Sequence, residues 1–228
     1  MFRYMLGGGQ VGSYVVSLLL SLPIVLLSLS LHELAHGYVA YKCGDPTARN
    51  YGRLTLNPLR HLDPVGFACM LLVGFGWANP VPVNSRYFRK PRRDMILTAL
   101  AGPVSNLLLA LVFLLLYRFL GIGYLATLSY ASQFTFNMAW YTLQFLYAGI
   151  YMNVTLAVFN LLPIPPLDGS RVLFLLLPWR AYQKIAPYQR QITMLLLLVL
   201  VLGPYIRFSP ISWLTEWMVN GMLTLTGL

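Results

Sequence analysis

The chain has 228 residues, of which 58% are apolar and only 10% are charged. A soluble domain carries about 25% charged residues, so this composition excludes an ordinary soluble protein and predicts a membrane protein surrounded by a lipid bilayer. The net charge of +10 is compatible with nucleic-acid binding, but the basic residues cluster between long apolar segments, which is typical of cytoplasmic loops. We therefore expect no nucleic-acid partner.

Four segments are candidates for transmembrane helices. A helix that crosses the hydrocarbon core needs about 20 mostly apolar residues. The sequence predicts such helices at about 11–41, 95–120, 140–162 and 191–202, the last extended at either end. The tail at 211–228 is typical of an interfacial helix, with a fifth span as the alternative. The predicted fold is therefore an all-α polytopic membrane protein with about four to five transmembrane helices, in one membrane-embedded domain over residues 1–228.

The stretch between the first two spans is less regular. Residues 51–58 (YGRLTLNP) alternate in the manner of a short strand and residues 80–84 (PVPVN) resemble a second one, so a short β-hairpin is predicted here. Residues 66–77 are apolar but too few to cross the bilayer. We interpret them as a re-entrant segment, which requires protein or a wet cavity around its backbone.

The basic residues predict the orientation of the chain. Most lysines and arginines lie in the stretches 42–94 and 163–190, which places both stretches on the cytoplasmic side by the positive-inside rule. The N-terminus and the loop at 121–139 then face outward. We expect a multi-pass protein of the cell (plasma) membrane.

The segment HELAH at 32–36 is the first in the chain to contain candidate metal ligands and a candidate general base. His32 and His36 are four residues apart, so they project from one face of a helix and can bind one metal ion. Glu33 lies beside them, where its carboxylate can act as a general base on a metal-bound water. Ionisable residues inside a membrane span are costly and mark a functional site by default. We therefore interpret HELAH as a metal site rather than a chance match.

A catalytic zinc site usually has three protein ligands and one open position. Asp168 is the best candidate for the third ligand, because the prolines in NLLPIPPLDG break the helix after the third span and can turn the chain back into the membrane. Asp45, Asp63 and Asp94 lie in loops or at helix starts, and Asp94 is well placed to cap the second span. The alternative for Asp168 is a cap on a helix that begins near Ser170.

Three motifs together resemble the site-2 protease family of intramembrane zinc metalloproteases: HELAH at 32–36, AGPVSN at 101–106 and NLLPIPPLDG at 160–169. The family signature Asn-x-x-Pro-x-x-x-x-Asp-Gly is met by Asn160, Pro163, Asp168 and Gly169. The resemblance covers about residues 14–178, so we expect the catalytic core there and further helices at about 185–228. The chain looks like the small bacterial and archaeal members that lack PDZ and CBS domains.

The resemblance implies a role for each matching residue. His32, His36 and Asp168 match the zinc ligands, and Glu33 matches the catalytic base that activates a zinc-bound water. Asn160 matches the motif asparagine near the active site.

Two asparagines are candidates for contacts with the substrate. Asn160 and Asn106 can each stabilise the oxyanion that forms during hydrolysis or hold the substrate backbone. Asn106 is equally well explained as a polar residue in helix packing, beside Gly102 and Pro103.

The implied activity is that of a zinc-dependent intramembrane endopeptidase, a hydrolase in regulated intramembrane proteolysis. Its expected partner is a transmembrane protein substrate, cut within or near a transmembrane segment, with the active site toward the cytoplasmic side. A homo-oligomer is possible. The strand-like residues 54–56 and 81–83 are candidates for pairing with an unwound stretch of substrate.

Three other functions fit the sequence less well. A metal transporter should contain repeated helices with polar groups at mid-membrane, and no repeat is found. A zinc peptidase for soluble peptides needs a hydrophilic catalytic domain, and none is present. A protein that only binds partners is expected to have lost Glu33 or a ligand, whereas all four groups are retained.

Overall fold

The computed structural model describes residues 11–73, 76–127, 132–206 and 210–226. These residues form nine α-helices and no β-strand, which confirms the all-α prediction. The helices are α1 (Val11–Lys42), α2 (Thr47–Asn50), α3 (Pro64–Val73), α4 (Pro91–Thr127), α5 (Gln133–Leu161), α6 (Asp168–Leu176), α7 (Trp179–Ile185), α8 (Gln189–Ile206) and α9 (Pro210–Leu225).

Three of these helices are long and apolar enough to cross a membrane. The segments that qualify among the described residues are Ser21–Lys42 in α1, Pro91–Gly123 in α4 and Gln133–Leu161 in α5. They correspond to the first three predicted spans. The fourth predicted span, 191–202, is helical within α8 but is not among the three. The protein is therefore a polytopic membrane protein with three such helices in its described part, where about four to five were predicted.

The outward faces of the long helices are apolar. On α4, Leu108 and Phe119 are 59% and 71% exposed, and Phe134 at the start of α5 is 75% exposed. Large apolar side chains in such numbers on a surface are expected where the solvent is lipid and not water. The inward faces of α4 and α5 meet in a core that includes Phe113 and Ile150.

The C-terminal helix α9 packs against α5. Val219 is 1% exposed and belongs to the same core as Ile150, and Thr215 is fully buried. Trp213 and Trp217, one turn apart, are 70% and 67% exposed. The predicted helix at 211–228 is thus present from Pro210 to Leu225, with its tryptophans on the face directed away from the bundle.

The predicted β-hairpin is not found in the described residues between α1 and α4. Only one isolated antiparallel bridge occurs there, between Leu62 and Ala78. The physical reason lies in residues 80–84: Pro80 and Pro82 have no N–H to donate to a strand partner, and the N–H of Val81 donates to a side chain of α1. The apolar stretch predicted at 66–77 is helical up to Val73, as part of α3.

Acidic side chains hold this connecting segment in place. The fully buried Asp45 carboxylate accepts hydrogen bonds from the backbone N–H of Thr47 (2.9 Å) and of Asn84 (2.6 Å). Asp94 was predicted to cap a helix starting near Met95, but α4 begins at Pro91 and Asp94 lies in its first turn, where it accepts a hydrogen bond from the N–H of Lys90 (2.8 Å). The segment that connects α1 and α4 is therefore fixed by a buried carboxylate at each of its ends.

Candidate metal centre

Three predicted ligands meet at one point. His32 Nε2 lies 3.0 Å from His36 Nε2, and Asp168 Oδ2 lies 3.2 Å and 3.1 Å from these two nitrogens. All three side chains are buried. Within the described ranges, no other group of three metal-ligating side chains comes together in this way.

The spacing of these atoms fits a zinc ion. Zinc binds histidine nitrogen and carboxylate oxygen at about 2.0–2.2 Å in a tetrahedral arrangement, which puts neighbouring ligand atoms about 3.3 Å apart. The observed separations of 3.0–3.2 Å match that triangle closely. Three protein ligands leave the fourth position open, as in catalytic and not in structural zinc sites.

Helix α4 orients both histidines. The His32 ring donates from Nδ1 to Asn106 Oδ1 at 2.6 Å, and the His36 ring donates from Nδ1 to the backbone carbonyl of Thr98 at 2.7 Å. Because each Nδ1 carries the proton, each Nε2 presents a lone pair to the point where the ligands meet. Such partners fix the tautomer and the ring angle of a metal-binding histidine.

A second buried amide continues this network into α5. Asn106 and Asn153 are fully buried, and Asn106 Nδ2 donates to Asn153 Oδ1 at 3.0 Å. Asn153 in turn donates to the carbonyl of Gly149 at 2.9 Å. The sequence reasoning did not single out Asn153. The signal that could have found it is its amide in the middle of an apolar span, where polar groups need a partner.

Asp168 reaches the histidines because the chain reverses after α5. Helix α5 ends at Leu161, and α6 begins at Asp168, so Asp168 is the first residue of the helix and not the cap before it that the alternative required. At Gly169 a Cβ atom would collide with the backbone carbonyl of Leu161, so the close return needs glycine at this position. The residue before α6, Leu167, makes no side-chain cap, and the Asp168 carboxylate points at the histidines instead.

Asp168 supplies the carboxylate of this group, with its Oδ2 within 3.2 Å of both histidine Nε2 atoms. An ionised carboxylate is the form that binds a metal ion.

Gly102 on α4 allows the helices to approach at the metal centre. A Cβ atom built there would lie 2.6 Å from His32 Nε2 and would also collide with His36 Nε2. Any side chain at this position would enter the space of the ligand atoms. The motif AGPVSN thus supplies two parts of the centre, Gly102 for space and Asn106 for orientation.

Comparison with known proteins gives the family. Residues 21–203 match the family model of peptidase family M50, which is the site-2 protease family. The chain belongs to peptidase family M50. The resemblance predicted from the three motifs is therefore confirmed, and the protein is a membrane zinc metalloprotease.

Three relatives of this M50 peptidase carry names that describe zinc metalloproteases. YwhC of Bacillus subtilis (strain 168) is 46% identical over 205 residues, covering 87% of this chain and 89% of the relative. Rip2 of Mycobacterium tuberculosis (strain ATCC 25618 / H37Rv) is 33% identical, covering 84% and 71%. MJ0611 of Methanocaldococcus jannaschii is 32% identical, covering 70% and 71%. No solved structure matches the chain significantly.

Glu33 lies next to the ligands without belonging to them. Its side chain is 8% exposed, and its Oε2 accepts a hydrogen bond from the N–H of Val81 at 2.8 Å. The loop after α3 therefore holds the Glu33 carboxylate in place.

The two asparagine candidates differ in position. Asn106 bonds to His32, and its amide nitrogen is directed to Asn153 and to the carbonyl of Ser28 at 3.4 Å. The alternative of a polar residue in helix packing describes it better than a substrate contact. The Asn160 amide donates to the carbonyl of Leu156 in its own helix at 3.0 Å, so the structure does not join it to the ligands, and its role stays a prediction.

His61 and Asp63, which are not in the ligand set, have local hydrogen-bond partners. His61 donates to the carbonyl of Thr55 at 2.8 Å. Asp63 accepts from the N–H of Gly66 at 2.7 Å and so caps α3. Asp45, Asp63 and Asp94 thus bond to backbone groups, and Asp168 is the acid that contacts the histidines among the described residues.

Proposed function

We propose that this peptidase hydrolyses peptide bonds within or near transmembrane segments of membrane-protein substrates, in regulated intramembrane proteolysis. The observation that carries the proposal is the placement of the proposed ligands. His32 and His36 lie inside a candidate membrane span and are only 5% and 6% exposed. The helices around them present apolar side chains outward. A substrate that is itself in the bilayer can reach such a centre between helices, whereas a soluble peptide meets a lipid-facing surface.

A zinc ion held by His32, His36 and Asp168 would supply a Lewis acid at the scissile carbonyl and make a water molecule acidic enough to attack near neutral pH. The chain itself moves the protons. The Glu33 carboxylate takes a proton from the attacking water as the new C–O bond forms. It then gives that proton to the amine nitrogen as the C–N bond breaks.

The surrounding residues keep these groups aligned. The N–H of Val81 fixes the Glu33 carboxylate, and α4 fixes the histidine rings through Asn106 and the Thr98 carbonyl. Alignment of this kind supports catalysis because no reorganisation is needed at the moment of reaction.

The proposed location is the plasma membrane, with the centre near its cytoplasmic side. The two basic stretches come together around one cavity, which Arg92 of the first stretch and Arg171 of the second both line. The ligands lie close to the end of α1 that leads into the first stretch, since Lys42 closes α1 only six residues after His36. The positive-inside rule assigns that end to the cytoplasm.

The loop at 80–84 is a less favourable strand partner for substrate than the sequence indicated. Pro80 and Pro82 lack N–H groups, and the N–H of Val81 is already bound to Glu33. Addition of a substrate strand at this edge would rest mainly on carbonyl acceptors.

The role of Glu33 is tested with the variant Glu33→Gln, which keeps the shape and removes the base. We expect zinc content equal to that of the wild type and loss of cleavage of a transmembrane test substrate in proteoliposomes. Glu216→Gln is the matched control, because Glu216 is exposed on α9 and should leave both readouts unchanged. Cleavage by Glu33→Gln at the wild-type rate would falsify the assignment of the base.

The substrate class is tested with two peptides that share the scissile sequence. One carries it in a transmembrane segment and the other has polar flanks and is soluble. We expect cleavage of the first only. Equal cleavage of both by the wild type would show that entry from the bilayer is not required.

A further inference from the structure

A large cavity opens beside the metal centre. Its volume is about 850 Å³. The wall includes Val81, whose N–H holds Glu33, and Ser170, two residues after Asp168. The cavity therefore adjoins the loop that holds Glu33 and the first turn of α6 and extends toward the basic stretches, while none of the proposed metal ligands lines it.

Three arginines from three different elements line this cavity. Arg92 is at the start of α4, Arg171 is in α6 and Arg190 is at the start of α8. Among the described residues that line the cavity none is acidic, and no described ion pair involves any of the three. Their positive charge is thus uncompensated within the described part of the chain. A ligand that carries a carboxylate would compensate it.

The same cavity has apolar walls. Met95, Phe174 and Leu177 line it next to the arginines. A mixed lining of this kind matches the point where a transmembrane segment leaves the bilayer, with apolar residues followed by a charged one. A simple topological role for the arginines requires only that they lie on one side of the membrane. It does not require that they face one cavity beside the catalytic base.

We propose that this cavity binds the juxtamembrane segment of the substrate, and that Arg92, Arg171 and Arg190 select substrates with an acidic side chain there. The inference rests on the proposed function, since it assumes a transmembrane substrate. An anionic lipid headgroup has the same charge, but the continuity of the cavity with Val81 and Ser170 favours a peptide that must also extend to the metal centre.

The test compares substrates that differ at one position. One transmembrane segment is prepared with Glu, Gln or Lys at each of the first juxtamembrane positions in turn, and kcat/KM is measured in vesicles of neutral phospholipid. An exposed pair of unlike charges contributes up to about fivefold, so three arginines should favour Glu over Gln on the order of tenfold at one or more positions. Lys at the same position should be cleaved more slowly than Gln.

The arginine variants locate the source of this selectivity. Arg171→Gln should lower the Glu-to-Gln ratio several-fold, and the triple variant with Arg92→Gln and Arg190→Gln should bring it close to one. Arg180→Gln is the matched control, because Arg180 is an exposed arginine of α7 outside the cavity lining, and it should keep the ratio. The triple variant Arg92→Glu, Arg171→Glu and Arg190→Glu should reverse the preference toward the Lys substrate, a gain that a misfolded variant cannot produce.

Changes in ionic strength and in lipid charge distinguish an acidic substrate side chain in the cavity from a lipid headgroup. The ratio should fall as ionic strength rises from about 0.1 M to about 1 M, where the screening length shortens from about 10 Å to about 3 Å. If the variants instead slow Glu and Gln substrates equally, and only in vesicles that contain anionic lipid, the occupant is a headgroup and the proposal is wrong. A wild type that cleaves all substrates equally also overturns it. A wild type that cleaves none contradicts the proposed function instead.

Discussion

The helix pair α4 and α5 is packed in two different ways along its length. At one end, the buried amides of Asn106 and Asn153 meet through a hydrogen bond of 3.0 Å and extend to the His32 ring. Two turns along, Phe113 packs edge-on against Phe145 with ring centres 6.2 Å apart, beside Ile150. The same two helices therefore change from polar to apolar contact within one bundle.

The polar and apolar ends of the α4–α5 contact differ because only the polar end must hold a histidine ring at a fixed angle and distance. Between helices in lipid, apolar contacts gain packing but little hydrophobic free energy, because lipid tails are as apolar as the side chains. Such contacts tolerate small shifts. A hydrogen bond to a histidine does not, since the distance and angle of the ring decide whether the nitrogen faces the metal. The polar end thus sets the geometry, and the apolar end holds the helices together.

The largest expected effect is at the polar end, in Asp168→Ala. Loss of the carboxylate leaves only two histidine ligands, so we expect zinc affinity to fall by more than about 100-fold, beyond the loss seen for outer-shell partners, and cleavage to disappear. The measurement is competition with a chromogenic zinc chelator. Asp63→Asn is the control, because Asn also caps a helix, and it should bind zinc normally. Full zinc occupancy in Asp168→Ala would remove this residue from the ligand set.

The next effect is expected for Gly102→Ala. The added Cβ would lie 2.6 Å from His32 Nε2, so the histidines must move and zinc affinity should fall by roughly 10- to 100-fold, comparable to loss of a second-shell partner. Gly221→Ala is the matched control, because a Cβ there meets nothing within 4 Å. It should bind zinc as the wild type does. Since both changes raise helix propensity equally, a difference between them reports the contact with the ligands.

The asparagine pair gives a smaller effect and tests whether it acts as one unit. Asn106→Ala removes the acceptor of the His32 Nδ1 proton and should weaken zinc binding by about 10-fold or more. Asn153→Ala leaves that acceptor in place but frees it to turn, so a loss of only a few-fold is expected. In the double variant the losses should not add, because Asn153 acts through Asn106. Additive losses would show that the two amides act independently.

The local parts of the site could be predicted from sequence, because they depend on helical repeat and chain breaks. The spacing of His32 and His36 fixes their shared face, and the prolines before Asp168 indicate where the chain reverses. The partners of the ligands could not be predicted in the same way. Asn153 and the Thr98 carbonyl contact the site through the relative rotation of α1, α4 and α5. Helices that are apolar on every side give little pattern from which to read that rotation.

In the segment that connects α1 and α4, the local sequence pattern gave the wrong prediction. Alternation of valine and proline at 80–84 predicted a strand, yet Val81 donates its N–H to Glu33 and Asn84 donates its N–H to Asp45. Side chains far away in the sequence took the hydrogen bonds that a strand partner would have used. Local alternation is therefore weak evidence where prolines remove donors and buried carboxylates compete for the rest.

The smallest effect is expected at the apolar end, in Ile150→Val. Ile150 is fully buried in the core shared by α4, α5 and α9, and loss of one methyl group costs about 0.5–1.5 kcal/mol in a packed core. In lipid only the packing part is lost, so the lower end of that range is expected. Zinc affinity should not change, because Ile150 is not part of the hydrogen-bonded network around His32. The measurement is the unfolding midpoint together with chelator competition. If zinc binding weakens in step with stability, the apolar end also sets the geometry of the metal centre, and the division of labour along α4 and α5 is wrong.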